Sequence, residues 1–141
     1  MIKRESAVNT GLFILRVAIG CFMLVHGWQK VMGFGELADT FPDPLGMGSR
    51  LSLISAIGAE VGCSVLLVIG LGTRLAAIPL AFTMIVALFV VHRADPWQVK
   101  ELAAVYLSVY TVIIFTGPGS FSLDHILSSK WRGRTSTASD S

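Results

Sequence analysis

Long apolar runs alternate with short polar punctuation along this chain. The clearest runs are residues 11–25 and 51–71, each interrupted by an isolated charged residue. A membrane-spanning helix needs about 20 predominantly apolar residues to cross roughly 30 Å of hydrocarbon. Four segments meet or approach that length, at about 10–31, 49–71, 74–91 and 100–116. The pattern therefore predicts an all-α fold: an integral membrane four-helix bundle forming a single domain over 1–132, with a long outer loop between the first two helices.

The punctuation predicts the connections. Residues 33–48 (GFGELADTFPDPLGMG) are rich in Gly, Pro and acids, which argues against continuous helix and for a segment folded back over the bundle. Gly70-Leu71-Gly72-Thr73 reads as a tight turn, making the second and third helices antiparallel neighbours. A polar turn runs from His92 to Trp97, and Gly117-Pro118-Gly119 stops the fourth helix. Residues 122–130 read as a mildly amphipathic surface helix with a capped start at Ser122-Leu123-Asp124-His125. The Ser/Thr-rich stretch 133–141 is expected to be a disordered tail.

Composition agrees. Hydrophobic residues make up 53% of the chain and charged residues 14%, against about 25% charged in soluble domains. The net charge is only +2, with no basic stripe interleaved with aromatics, so nucleic-acid binding is excluded. Cys21 and Cys63 form no C-x-x-C pair, which argues against disulfide exchange. They read as buried inert thiols, with an inter-helix disulfide left open. The polar residues 2–6 lead into a run too long for a cleavable signal, so the first helix is expected to be retained.

Lys3, Arg4, Arg74, Lys130, Arg132 and Arg134 fall on one side of the bundle, which by the lysine and arginine bias makes both termini cytoplasmic. Lys30, Arg50, Arg93 and Lys100 fall on the other side, among Glu36, Asp39, Asp43 and Asp95. Trp28, Trp97 and Trp131 sit at span boundaries as interfacial anchors.

Arg16 and Glu60 lie inside apolar runs. A charged side chain in hydrocarbon costs at least ~2.5–3.5 kcal/mol and so faces a partner or a wet cavity. On the first helix Arg16, Gly20, Met23, Gly27 and Lys30 share one stripe. On the second, Ala56, Glu60 and Ser64 share a face, with the small pair Gly58 and Gly62 beside it. Depths counted from each helix's own end predict an Arg16–Glu60 ion pair.

His26, Lys30, His92 and Glu101 fall toward the outer ends and are expected to line one cavity with Glu60. In it His26, Glu60 and Glu101 are the candidate catalytic, proton-handling groups. Arg16, Lys30 and His92 are the candidate substrate-binding groups. The plainer readings are a structural ion pair and hydrated interfacial histidines. No dedicated metal-ligand spacing occurs, so no metal is expected, and there is no phosphate loop or nucleophile elbow. Tyr106, Tyr110 and Phe115 read as core packing.

The ordered series R-x-x-x-G at 16–20, H-G-x-x-K at 26–30, E-x-G at 60–62, G-L-G-T-R at 70–74, His92, Glu101 and G-P-G-x-x-S-L-D at 117–124 resembles the DoxX-like family of small four-helix bacterial membrane proteins. The resemblance covers about residues 12–127; the long 33–48 loop departs from a minimal member. It implies an inner-membrane protein linked to redox processes, similar to a subunit of a thiosulfate:quinone oxidoreductase and to proteins of quinone and oxidative stress.

The expected function is thus a redox-associated membrane protein binding a quinone, or a similar lipophilic redox-active molecule, in a polar intramembrane site. No redox cofactor is evident in the sequence, so electrons would come from a partner subunit or the substrate, and enzymatic activity is left open. Two alternatives stand beside it: a non-enzymatic scaffold or accessory subunit of a membrane oxidoreductase complex, and a small carrier of a lipophilic metabolite. The small-residue faces serve packing within the bundle or in a homo-oligomer.

Overall fold

The structure is a computed structural model that describes residues 3–138. Helix α1 spans Arg4–Met32, followed by a short helix α2 at Phe34–Leu37. Helix α3 runs over Ser49–Ile69, α4 over Thr73–Val91, α5 over Trp97–Thr116 and α6 over Leu123–Ala138. Among the described residues, α1, α3, α4 and α5 are the four helices long and apolar enough to cross a membrane. Their most apolar windows are only 22%, 28%, 33% and 17% buried. Most of each helix thus turns large apolar side chains outward, Phe22, Leu75 and Phe115 among them. Such a surface is stable only in lipid, and the molecule is an integral membrane helical bundle.

Two of the spans are not uniform. In α3 the segment Gly58–Cys63 is π-helical, and α4 ends in a second π-turn, Ala87–Val91. A π-turn inserts a residue into the helical ladder and is often found at functional sites. Pro79 also lies inside α4, removing one backbone donor from that helix.

Packing follows the small residues. Gly20 and Gly27 let α3 approach α1 closely. A β-carbon on Gly27 would lie 2.7 Å from Val61 Cγ2 and 3.0 Å from Glu60 Cβ. Gly58 and Gly62 have no such neighbour within 4 Å, so they do not pack within the bundle. The core gathers Ile19 and Met23 of α1, Leu67 of α3, Ala77 and Leu80 of α4, and Tyr110 and Ile113 of α5. Tyr106 and Tyr110 are buried, but Phe115, expected in the core, faces outward. Both cysteines are free, and Cys21, expected to be buried, is exposed.

Helix α1 begins six residues before the expected position, since residues 4–9 continue the helix with Glu5 in its first turn, where the helix dipole favours an acid. At the other terminus α6 continues through 133–138, where disorder was expected. Thr135 Oγ1 there donates back to the Arg132 carbonyl at 2.9 Å. That bond satisfies the Thr135 hydroxyl within the helix. Residues 139–141 of the expected tail lie outside the described residues.

The end of the bundle that carries both termini is locked by polar groups. Arg16 Nη1 donates to the Pro118 carbonyl at 2.6 Å and Nη2 to the Phe121 carbonyl at 2.7 Å. The Asp124 carboxylate accepts the Gly72 and Thr73 N–H groups at 2.8 and 2.9 Å, capping α4, while its own N–H donates to the Gly70 carbonyl. Burial pushes the Asp124 carboxyl up, but the Thr73 and Gly72 N–H groups and the Arg16 charge outweigh it and hold it below its ordinary range. Gly70 adopts a left-handed φ of +74°, and a β-carbon there would lie 2.9 Å from Arg16 Nη1. The turn is thus built around the guanidinium.

Candidate functional site

At the opposite end α3 and α4, with the 33–48 loop, line a half-open cavity of about 470 Å³. Its walls are mostly apolar: Ala56 and Ala59 from α3, and Pro79, Phe82, Val86 and Val91 from α4. Phe41, Pro42, Pro44, Leu45 and Met47 of the 33–48 loop cover it. Both π-turns contribute lining residues, Glu60 from the first and Ala87 and Val91 from the second.

The charge in this wall is one ion pair. Lys30 Nζ donates to Glu60 Oε2 at 2.7 Å, with the two side chains 23% and 6% exposed. The close approach at Gly27 sets Glu60 against the last turns of α1, and Lys30 follows Gly27 by three residues, on the same side of the helix. Ser52, Ser55, Thr83 and His92 supply the remaining polar groups of the lining. His92 Nδ1 meets Asp95 Oδ2 at 2.7 Å, an arrangement in which the carboxylate orients the ring.

The predicted Arg16–Glu60 pair does not form: Arg16 holds loop carbonyls at one end of the bundle and Glu60 holds Lys30 at the other. The expectation took the ends of the two helices as level. The contacts of Gly27 with Glu60 and of Gly20 with Ser64 and Val68 set a register in which α3 overshoots α1 by more than a turn at the loop end. Arg16 therefore lies about 16 Å below Gly27, and so below Glu60, at about 1.5 Å per residue.

The predicted five-residue cavity is also only partly assembled. Lys30, Glu60 and His92 line it; His26 and Glu101 do not. No α5 residue reaches it, which removes Glu101, exposed in the first turns of that helix. The His26 ring instead packs edge-on against Tyr106 of α5 at 5.8 Å between centroids. Arg16, placed among the substrate-binding candidates, is likewise remote from the cavity.

Asp43 is a structural clamp beside the cavity that the spacing did not single out. Its Oδ1 accepts the Met47 N–H at 2.9 Å and the Ser52 hydroxyl at 2.9 Å, and its Oδ2 accepts the Gly48 N–H at 2.8 Å. These bonds tie the cover to the start of α3. An acid shortly before a helix, followed by two glycines, was the available signal. The Gly48 N–H, aided by the Ser52 hydroxyl and Met47 N–H, holds the Asp43 carboxyl below its ordinary value of 3.8. A depressed carboxylate stabilises above its unfolded value and loses that contribution as pH falls through its folded value. The clamp is therefore expected to hold at neutral pH and release only below about pH 4. Asp43→Ala is expected to speed proteolysis and amide exchange across residues 38–48 several-fold at pH 7, leaving the four spans protected. Exchange unchanged in the variant would remove Asp43 as the clamp.

Comparison with known proteins adds a family but no reaction. The chain is 28% identical over 127 residues to an uncharacterised protein of Haemophilus influenzae, covering 84% of each chain. It is 30% identical over 139 residues to an uncharacterised membrane protein of Mycobacterium tuberculosis, covering 82% of this chain and 80% of that one. It is 26% identical over 129 residues to the inner membrane protein YqjF of Escherichia coli, covering 87% and 96%. No solved structure is a significant match. Residues 11–93, which hold Arg16, the Lys30–Glu60 pair, the loop cover and the cavity helices, match the DoxX family. This bundle, with its mostly apolar cavity beneath the 33–48 loop, belongs to the DoxX family.

Proposed function

We propose that the protein resides in a bacterial inner membrane with both termini cytoplasmic, and that it binds a quinone or a similar lipophilic, redox-active small molecule beneath the 33–48 loop. The observation that carries this reading is the Lys30–Glu60 pair set in the apolar wall of a covered cavity. Apolar volume with a few convergent polar groups is the usual form of a small-molecule site. A quinone ring and tail suit the Phe82, Val86 and Pro42 walls. Lys30 offers a cation to a carbonyl oxygen, while Glu60 and His92 are placed to exchange protons at it. Inner-membrane location follows the naming of the Escherichia coli relatives, and orientation follows the basic residues gathered at the terminal end.

The test is calorimetric titration with a short-chain quinone, because none of the tryptophans lines the cavity. Saturable binding is expected in the native protein. Glu60→Gln is expected to weaken it about 10- to 100-fold, the loss of one hydrogen bond to a charged group. Ala56→Phe, which fills the cavity, is expected to abolish it. Undiminished binding in Ala56→Phe would place the ligand elsewhere. No binding by the native protein would favour the scaffold reading, which the internally satisfied Lys30–Glu60 pair also supports.

A further inference from the structure

Helix α6 turns the wrong face inward for a soluble helix. Asp124, His125, Ser128 and Arg132 line a groove toward Glu5 and Asn9 at the base of α1. The opposite face carries Leu123, Ile126, Leu127 and Trp131, spaced as one helical stripe. These four are 39%, 47%, 53% and 73% exposed. The polar face turns toward this open groove, with His125, Ser128 and Arg132 still exposed, and the apolar face is left outside.

That apolar face continues an existing surface. Phe121, just before α6, meets the outward-facing Phe13 of α1 edge-on at 6.0 Å between centroids. The outer belt of the bundle thus passes from α1 through Phe121 to Leu123. The helix cannot swing away at its start, because Asp124 and Arg16 fasten that turn to the bundle. Sixteen residues standing in water are marginal as a helix, so a surface that receives the stripe would also stabilise it.

The charges define that surface. Farther along the same outward stripe come Lys130 and Arg134, and exposed Lys3, Arg4 and Arg74 lie at the same end. Among the described residues of this end the acids are Glu5 and Asp124, and Asp124 is engaged in capping α4. The stripe is thus apolar near the bundle and basic toward its far end, as in helices that lie in a bilayer interface and contact anionic lipid. We propose that the outward stripe of α6 docks on the acidic phospholipid headgroups of the bilayer the bundle spans. Leu123, Ile126 and Leu127 enter the acyl boundary, Trp131 sits at headgroup level, and Lys130 pairs with lipid phosphate.

The experiment uses the full chain with Trp28→Phe and Trp97→Phe, both replaced residues being exposed and remote from α6, so that Trp131 is the only fluorophore of its kind. The protein is placed in phosphatidylcholine vesicles containing phosphatidylglycerol, with bromine on the acyl chains of one lipid or the other at equal mole fraction. Trp131 is expected to be quenched more strongly by the brominated phosphatidylglycerol. Lys130→Gln is expected to lower that preference about fivefold, the worth of one cation at an anionic membrane surface, and added salt to erode it. Equal quenching by the two lipids would overturn the proposal by showing an interface blind to headgroup charge. Quenching by neither would overturn it by showing the stripe in water or covered by protein.

Discussion

Lys30→Met is expected to destabilise the protein by about 3 kcal/mol, toward the lower end of the range for breaking a buried ion pair. The Glu60 side chain is 6% exposed and its carboxylate meets Lys30 Nζ at 2.7 Å. Without the ammonium it faces an apolar wall, and only water entering the cavity moderates the penalty. Glu60→Gln alone is expected to do much less, because the Lys30 side chain is 23% exposed and can turn to water. The double variant Lys30→Met with Glu60→Gln is expected to recover most of the loss, since an amide needs no counter-ion. Unfolding in detergent micelles by heat or denaturant measures all three. A double variant no more stable than Lys30→Met would show that Lys30 acts through its packing rather than its charge.

Arg16→Leu is expected to be more damaging, at about 3–6 kcal/mol, from two charge-assisted hydrogen bonds of about 1.5–3 kcal/mol each. The guanidinium holds two carbonyls at once, those of Pro118 and Phe121. Arg16→Lys is expected to rescue at most half, because a single ammonium lacks the planar fork that spans them. The same variants are expected to open the turn at 117–121 to protease before the bundle melts. A double-mutant cycle between Arg16 and Glu60 is expected to close within ~0.5 kcal/mol, as for separated sites. A larger coupling would restore a direct link between the two residues, and equal stability of Arg16→Leu and the native protein would remove the lock.

The spans, their turns and the stripe on α1 were readable in the sequence, because each is a local or periodic property. Arg16, Gly20, Met23 and Gly27 are all buried, as their spacing implied. The need for partners at Arg16 and Glu60 was also readable, since hydrocarbon tolerates neither charge alone. Which partners they take was not. Arg16 could be matched with Glu60 only by assuming level helix ends, and the overshoot of α3 breaks that assumption. His26 and Glu101 illustrate a second limit. Both lie near the right depth, but depth does not say which inter-helix groove a side chain enters, and the α5 groove is not the one that widens. The helical course of residues 133–138 shows a third, for the Thr135 hydroxyl, in the stretch that suggested disorder, finds an acceptor one turn back.

By itself, then, the sequence determined that this chain inserts in a membrane as four apolar helices with charges that demand partners. Hydropathy and helical period act residue by residue and need no knowledge of neighbours. The tertiary structure alone decided that Lys30 neutralises Glu60 and that loop carbonyls receive Arg16. It also decided that Asp43 fastens a cover over the cavity between α3 and α4. Those outcomes depend on the axial offset of α1 against α3, which is set by where Gly20 and Gly27 admit their neighbours. An offset of one turn moves a side chain by about 5.4 Å, enough to exchange one ionic partner for another.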